Sequence, residues 1–201
     1  NNDALLPLVP GRFGESAWAL TEVTYTQFLS ERFGLTGGLI NTDTGDSNPI
    51  AGNLASNSHF LNTGLAYTPV MGSTTPNVTL GGGAVIIPNE NIIGTVVVFG
   101  SSETAGNNPF DYYDGTTFST EWTFKYTAND LPGGVTAGAT YGIDKERFRI
   151  TEDPRILIQD IAAGGSAMTS DDSWAIYMNG YQYIQGDESH GWGLFGRLGF
   201  S

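Results

Sequence analysis

The chain has no cysteine, few charged residues and no long apolar run. Without cysteine among its 201 residues, it has neither a disulfide framework nor a thiolate metal site. Charged residues make up 14% of the sequence, well below the share of about 25% that is usual in soluble domains. No stretch reaches the roughly 18 consecutive apolar residues of a transmembrane helix, whereas a membrane-spanning strand needs only about 9–11 residues. Spanning helices are therefore excluded within these residues, and spanning strands are not.

Basic residues are scarce as well. The chain carries 21 acidic residues against 8 lysines and arginines, which gives a formal net charge of -13. The stretch from Lys145 to Arg155 holds four of the basic residues, but acidic residues alternate with them. Since binding to a phosphate backbone requires a basic surface, we expect no nucleic-acid partner.

Glycine and aromatic residues are abundant instead. The sequence has 28 glycines and 12% aromatic residues, and its threonine, valine, tyrosine and phenylalanine favour strands over helices. Alternating patterns bounded by turn residues predict eight strands. These strands are Trp18–Leu29, Phe33–Ile40, Asn77–Ile87, Ile92–Gly100, Thr117–Thr127, Gly134–Ile143, Ser173–Ile184 and Gly191–Phe200. The sequence therefore predicts an all-β, antiparallel fold.

The connections between these strands alternate between short and long. Membrane β-barrels combine short turns at one end with long loops at the other. We therefore expect an antiparallel transmembrane β-barrel in which 41–76, 101–116 and 144–172 are long external loops. The first of these loops is a candidate for folding inward to form a constriction, and an ordinary exposed loop fits the sequence equally well. A soluble β-sandwich is the alternative fold.

Large rings alternate with polar side chains along TFSTEWTFKYT, so one face of this strand is aromatic and the other is hydrophilic. Rings near strand ends are typical of the aromatic girdles of membrane barrels. Candidates for this membrane-interface position are Trp18, Phe118, Tyr126, Tyr141, Trp174, Trp192 and Phe200. Ordinary core packing of the same rings is the alternative interpretation.

The final hairpin, SWAIYMNGYQYI followed by GWGLFGRLGFS, resembles the carbohydrate-selective porin family (OprB type) of Gram-negative outer membranes. TTFSTEWTFKY with LPGGVTAGATYG, and TYTQFLSERFGLTGGLINTDTGD, resemble other hairpins of that family in the same order. The resemblance implies a single porin-like domain over residues 1–201, with 1–17 as a lead-in. The eight strands would then be an internal part of a roughly sixteen-stranded barrel. It also implies an outer-membrane location, contact with lipid, and passage of carbohydrate or other small neutral solutes, with homo-oligomerisation left open.

A porin selects solutes through the groups that line its lumen. Strand alternation assigns the following residues to this lumen-lining set: Glu22, Thr24, Glu121, Thr123, Lys125, Asn179 and Arg197. Arg197 alternates with Leu198, so we expect it to point into the water-filled lumen. An arginine facing lipid near the bilayer centre would cost roughly 2–4 kcal/mol. For each residue, a solvated wall position without a selective role is the alternative.

Catalytic and metal-binding patterns are weak. The histidines are His59 and His190, and the neighbouring Ser189 does not make a triad with His190, because triads are defined by geometry. NTDTGDSN resembles a calcium loop in composition but lacks its spacing and its final glutamate. We therefore expect a passive channel without enzymatic activity, cofactor or metal. The alternative function is a soluble secreted β-sandwich module that binds glycans.

Overall fold

The computed structural model describes residues 20–55, 59, 62–102, 104, 115–143, 147–148, 169–170 and 172–201. Eight strands of these residues form one antiparallel sheet, and their order across the sheet is the same as their order along the chain. Their bounds are β1 Val23–Ser30, β2 Phe33–Asn41, β3 Val78–Asn89, β4 Ile92–Gly100, β5 Thr116–Ala128, β6 Leu131–Ile143, β9 Ser173–Gln185 and β10 Trp192–Phe200. Two further strands of two residues each, β7 (Arg147–Phe148) and β8 (Thr169–Ser170), pair with one another.

In the described part of the chain, helical structure is confined to the connection between β2 and β3. It consists of 3-10 turns at Thr42–Thr44 and Pro69–Ser73 and one helix, α1 (Thr63–Ala66). No helix among the described residues has the length and apolar character required to cross a bilayer.

The predicted all-β, antiparallel architecture with eight principal strands is confirmed. β4 has the predicted bounds, and β6 begins at Leu131 rather than Gly134, because its pairing with β5 continues to the turn, where Leu131 faces Ala128. β1 begins at Val23 rather than Trp18, and Trp18 lies outside the described residues, as does the predicted lead-in 1–17. In the described residues β1 and β10 are the two edges, so this part of the sheet is open.

The sheet is a meander, and its short turns therefore lie at one end of the strands. β5 and β6 are joined by Asn129 and Asp130, whose φ angles of 52° and 62° lie in the left-handed region. Asparagine and aspartate tolerate that conformation, which a two-residue turn between twisted strands requires. The long connections that follow β2, β4 and β6 are all at the opposite end.

The two faces of the sheet differ sharply in chemistry. One face, here called the apolar face, exposes large apolar side chains along its whole width, among them Tyr25, Leu35, Val96, Trp174 and Leu198. A soluble monomer rarely exposes so wide an apolar surface, whereas lipid covers such a surface in a membrane barrel. A soluble sandwich would bury it against a second sheet, but the only other sheet in the described residues is the β7–β8 pair.

Candidate functional site

The opposite face, here called the polar face, carries rows of polar side chains that run across the strands. Strand register places Thr123, Thr136, Asn179 and Arg197 in one row across β5, β6, β9 and β10. The next row runs through Glu121, Gly138, Tyr177 and Gly199. Side chains two residues apart on a strand point to the same side, so both rows face the same space.

The connection between β2 and β3, residues 42–77 and here called the first loop, packs onto this polar face. Its Pro69–Ser73 turn contacts β9 and β10. Tyr67 and Met71 of the loop form a small buried apolar cluster with Tyr177 of β9. Among the described residues, this cluster between the first loop and the polar face is larger than the second buried cluster, Leu39 with Val78.

Asp46 is the central residue of this interface. It is 0% exposed, and its carboxylate accepts hydrogen bonds from the Thr68 N–H (2.8 Å) and the Thr68 hydroxyl (2.7 Å). It also accepts from the side-chain amide of Asn179 and forms an ion pair with Arg197. Its own backbone N–H donates to Oε2 of Glu121 at 2.7 Å. These five residues are called the Asp46 network below.

Arg197 directs its guanidinium entirely to the first loop. Nε donates to the Leu65 carbonyl at 2.8 Å, Nη1 to the Asp46 carbonyl at 2.8 Å, and Nη2 to the Gly52 carbonyl at 3.3 Å. The side chain is 6% exposed. Arg197 thus lies on the side opposite Leu198, as alternation predicts, but loop groups surround its charge where water was expected. A planar guanidinium with several donors suits such multiple contacts.

Glu121 and Tyr177 extend the Asp46 network along the second row. Oε2 of Glu121 accepts a hydrogen bond from the Tyr177 hydroxyl at 2.8 Å. The Tyr177 ring lies over Gly138, where a Cβ atom would come within 2.2 Å of the ring carbon Cζ. Only glycine fits beneath the ring at position 138. The absence of a side chain there lets the Tyr177 ring lie where its hydroxyl reaches the Glu121 carboxylate.

Two glycines of β10 make room for the first loop on either side of Arg197. A Cβ atom at Gly199 would lie 2.5 Å from methyl groups of Thr68 and Val70, and one at Gly193 would lie 2.7 Å from Cδ1 of Ile50. Both glycines are on the polar face, so the loop approaches the strand backbone directly. This close approach explains two of the glycines of GWGLFGRLGF, Gly193 and Gly199, that alternation alone leaves unexplained.

Further polar contacts fix the two ends of the first loop. The Asn48 amide donates to Oδ1 of Asn179 at 3.2 Å. At the other end, the Thr117 hydroxyl donates to the Thr74 carbonyl at 2.8 Å. The Tyr67 hydroxyl is 2.8 Å from the Thr75 hydroxyl, and burial raises the pKa of Tyr67 well above its usual range. Tyr67 therefore stays neutral and able to donate.

The first loop leaves a gap on its other side. A cavity of about 120 Å³ lies between the loop and strands β4 and β5. Thr44 and Met71 line it from the loop, and Ile40, Val97, Phe99 and Glu121 line it from the sheet. The loop is thus bound closely to β9 and β10 and less closely to β4.

The structure brings together three of the residues predicted to line a lumen, Glu121, Asn179 and Arg197, through Asp46. The hydroxyl of Thr123 lies 2.9 Å from that of Thr136 on the adjacent strand. Glu22, Thr24 and Lys125 are exposed on or beside the same face and away from the Asp46 network. Alternation identified the strand residues, but nothing periodic marks Asp46 in the loop.

The predicted membrane-interface rings that the structure describes are all exposed on the apolar face. Phe118, Tyr141 and Trp174 face one another across β5, β6 and β9, near the ends that lead to the long connections. Tyr126 and Trp192 lie near the short-turn ends, and Phe200 lies near the long-connection end of β10. The described rings therefore form rows at both ends of the strands, as in a girdle.

Among the described residues, no three histidine, cysteine or acidic side chains are arranged to hold a metal ion. A meandering sheet with an apolar outer face, aromatic rows near the strand ends and a polar face that receives a long loop is the wall of a β-barrel porin. These features identify the class of protein as a β-barrel porin.

The chain belongs to the OprB family of carbohydrate-selective porins, because the model of that family matches residues 6–201. The family is found in the Gram-negative outer membrane, and this protein is located there. Its fold is similar to a high-pH structure of Pseudomonas putida OprB, with a TM-score of 0.63 at 13% sequence identity. The match covers 83% of this chain and 40% of that one, so the chain spans about two fifths of that structure. No protein of curated function matches its sequence.

Proposed function

We propose that the protein forms part of an outer-membrane channel through which sugars or similar small neutral solutes diffuse passively. Porin family and fold are those of a transport channel rather than an enzyme. The observation that carries the proposal is the division of the sheet into two faces. One face is apolar and exposed, and the other is polar and partly covered by the first loop. Lipid would cover the first face, and water and solute would occupy the space beside the second.

The polar face offers the groups that such a channel needs. Thr24 and Lys125 are exposed there, and their hydroxyl and ammonium groups would exchange weak hydrogen bonds with a passing solute. Passage requires binding that is weak enough for release, which solvent-exposed groups in competition with water provide. The family to which the chain belongs is described as carbohydrate-selective, which makes sugars the first solutes to test. No cofactor or chemical step enters this mechanism.

The test is the conductance of the full-length protein in a planar lipid bilayer, titrated with sugars. We expect stepwise channels whose conductance falls as sugar is added, with glycerol at matched viscosity as the control. A protein that inserts no channels, or channels that respond to glycerol and sugar alike, would contradict the proposal.

The two faces can be tested separately with single cysteines, because the chain has none of its own. Thr24→Cys on the polar face should react with a water-soluble thiol reagent, and Leu198→Cys on the apolar face should not. Reaction of both cysteines at equal rates in the lipid-embedded protein would mean that the apolar face is not covered by lipid.

A further inference from the structure

The first loop extends across the width of the polar face, from the strands that it connects to strands near the opposite edge of the sheet. It leaves β2 and enters β3, the second and third strands of the sheet, yet it is bound to β9 and to β10, which is the eighth strand. The attachment is polar and buried, and the loop's Asp46 contacts three strands at once: β5, β9 and β10. The loop is therefore held at its far end by a small number of specific groups.

We propose that Asp46 is a positioning residue of the channel, which holds the first loop across the polar face and thereby sets the free cross-section for solutes. This proposal rests on the proposed function. Asp46 itself does not contact the solute, since it is 0% exposed. Asp46 acts by holding the loop in place. Its carboxylate pairs with Arg197, its carbonyl accepts a hydrogen bond from Asn179, and its N–H donates to Glu121.

The donors around Asp46 make a carboxylate necessary there. Its two oxygens receive hydrogen bonds from the Thr68 N–H and hydroxyl, the Asn179 amide and the Arg197 guanidinium. An asparagine at this position would turn an NH₂ group towards one of these donors. It would also leave the buried arginine without its counter-ion, which is strongly unfavourable.

Asp46→Asn is also the mildest informative change. Asp46 has a φ of 51°, a left-handed conformation that asparagine tolerates and most other side chains do not. The backbone of the variant is therefore not strained further. Glu188→Gln on the exposed β9–β10 turn is the matched control, because it removes one negative charge at a position outside the Asp46 network.

A second pair of variants displaces the loop without changing any charge. Gly199→Ala would place a Cβ atom 2.5 Å from Thr68 and Val70, so the loop must move away from β10. Gly196→Ala on the same strand is its control, since a Cβ atom there meets nothing within 4 Å. This pair keeps the proposal testable if Asp46→Asn does not fold.

Two measurements follow on the full-length protein in lipid, with heat-modifiable gel mobility as the check on folding. In planar bilayers, we expect Asp46→Asn and Gly199→Ala to raise single-channel conductance and to lose the block by sugar, while both controls behave as wild type. In vesicles, we expect chymotrypsin to cut after Tyr67, which is 6% exposed when the loop is bound, in these two variants and not in the controls.

The outcomes separate this proposal from the proposed function. Folded variants with wild-type conductance and an uncut loop would overturn the role of Asp46 even if the wild type conducts. If the wild type forms no channels but chymotrypsin still cuts only Asp46→Asn and Gly199→Ala, the role of Asp46 in holding the loop would stand and the proposed channel would be refuted. Increased conductance in the controls as well would also overturn the proposal.

Discussion

Replacement of Arg197 by methionine should destabilise the protein more than simultaneous replacement of both members of its ion pair. Methionine keeps much of the apolar stem but leaves the carboxylate of Asp46, which is fully buried, without its cation. Breaking a buried ion pair from one side costs roughly 3–5 kcal/mol. Asp46 would still accept three hydrogen bonds, from Thr68 and Asn179, so we expect a loss near 3 kcal/mol, at the lower end of that range.

The double variant Asp46→Asn/Arg197→Met removes both charges and should lose less than the sum of the two single variants. The assay is urea unfolding of the lipid-embedded protein, followed by tryptophan fluorescence and analysed as a double-mutant cycle. A loss of less than about 1 kcal/mol for Arg197→Met would mean that the pair behaves as if it were at the surface. Strict additivity in the cycle would likewise refute direct coupling between the two side chains.

Three further predictions concern the two faces and the closing turn. Leu198→Arg on the apolar face should reduce vesicle insertion and cost roughly 2–4 kcal/mol, whereas Thr24→Arg on the polar face should insert normally; equal insertion would refute the assignment of faces. Gly138→Ala should displace the Tyr177 ring above it and lower the urea midpoint, and an unchanged midpoint would contradict the close packing seen there. Asp187, in the β9–β10 turn, accepts two backbone N–H hydrogen bonds that hold its pKa below the usual carboxyl range. Because the pKa of Asp187 is lower in the folded state than in the unfolded state, this carboxylate stabilises the folded protein. The stabilisation is complete above the unfolded-state pKa and is lost as the pH falls through the folded-state pKa. Asp187→Asn should therefore flatten the acid dependence of the urea midpoint, and an identical pH profile would contradict this.

The strands were predictable because their chemistry is local. Alternation along β5 separates Phe118 and Trp122 from Glu121 and Thr123, and the structure keeps that division. The turn at Asn129 and Asp130 is equally local, since both residues tolerate positive φ. Period and turn composition therefore sufficed for eight strands and for the division of their residues between two faces.

The Asp46 network was not predictable in the same way. Asp46 lies in NTDTGDSN, where neither a helical nor a strand period applies. Its partners Asn179 and Arg197 are 133 and 151 residues away along the chain. Alternation gave the direction of Arg197 but not what it meets. The inward glycines Gly193 and Gly199 are the sequence signal that was missed, because they leave strand backbone accessible to a packed segment.

The separation of 151 residues between Asp46 and Arg197 also bears on the order of folding. Each hairpin of the sheet joins chain neighbours and can form early, whereas a contact between residues so far apart must overcome a larger loop-closure entropy. Asp46 cannot form its ion pair with Arg197 until β10 has joined the sheet. The first loop therefore remains unfastened while the wall is assembled, and its attachment marks the completion of this part of the wall.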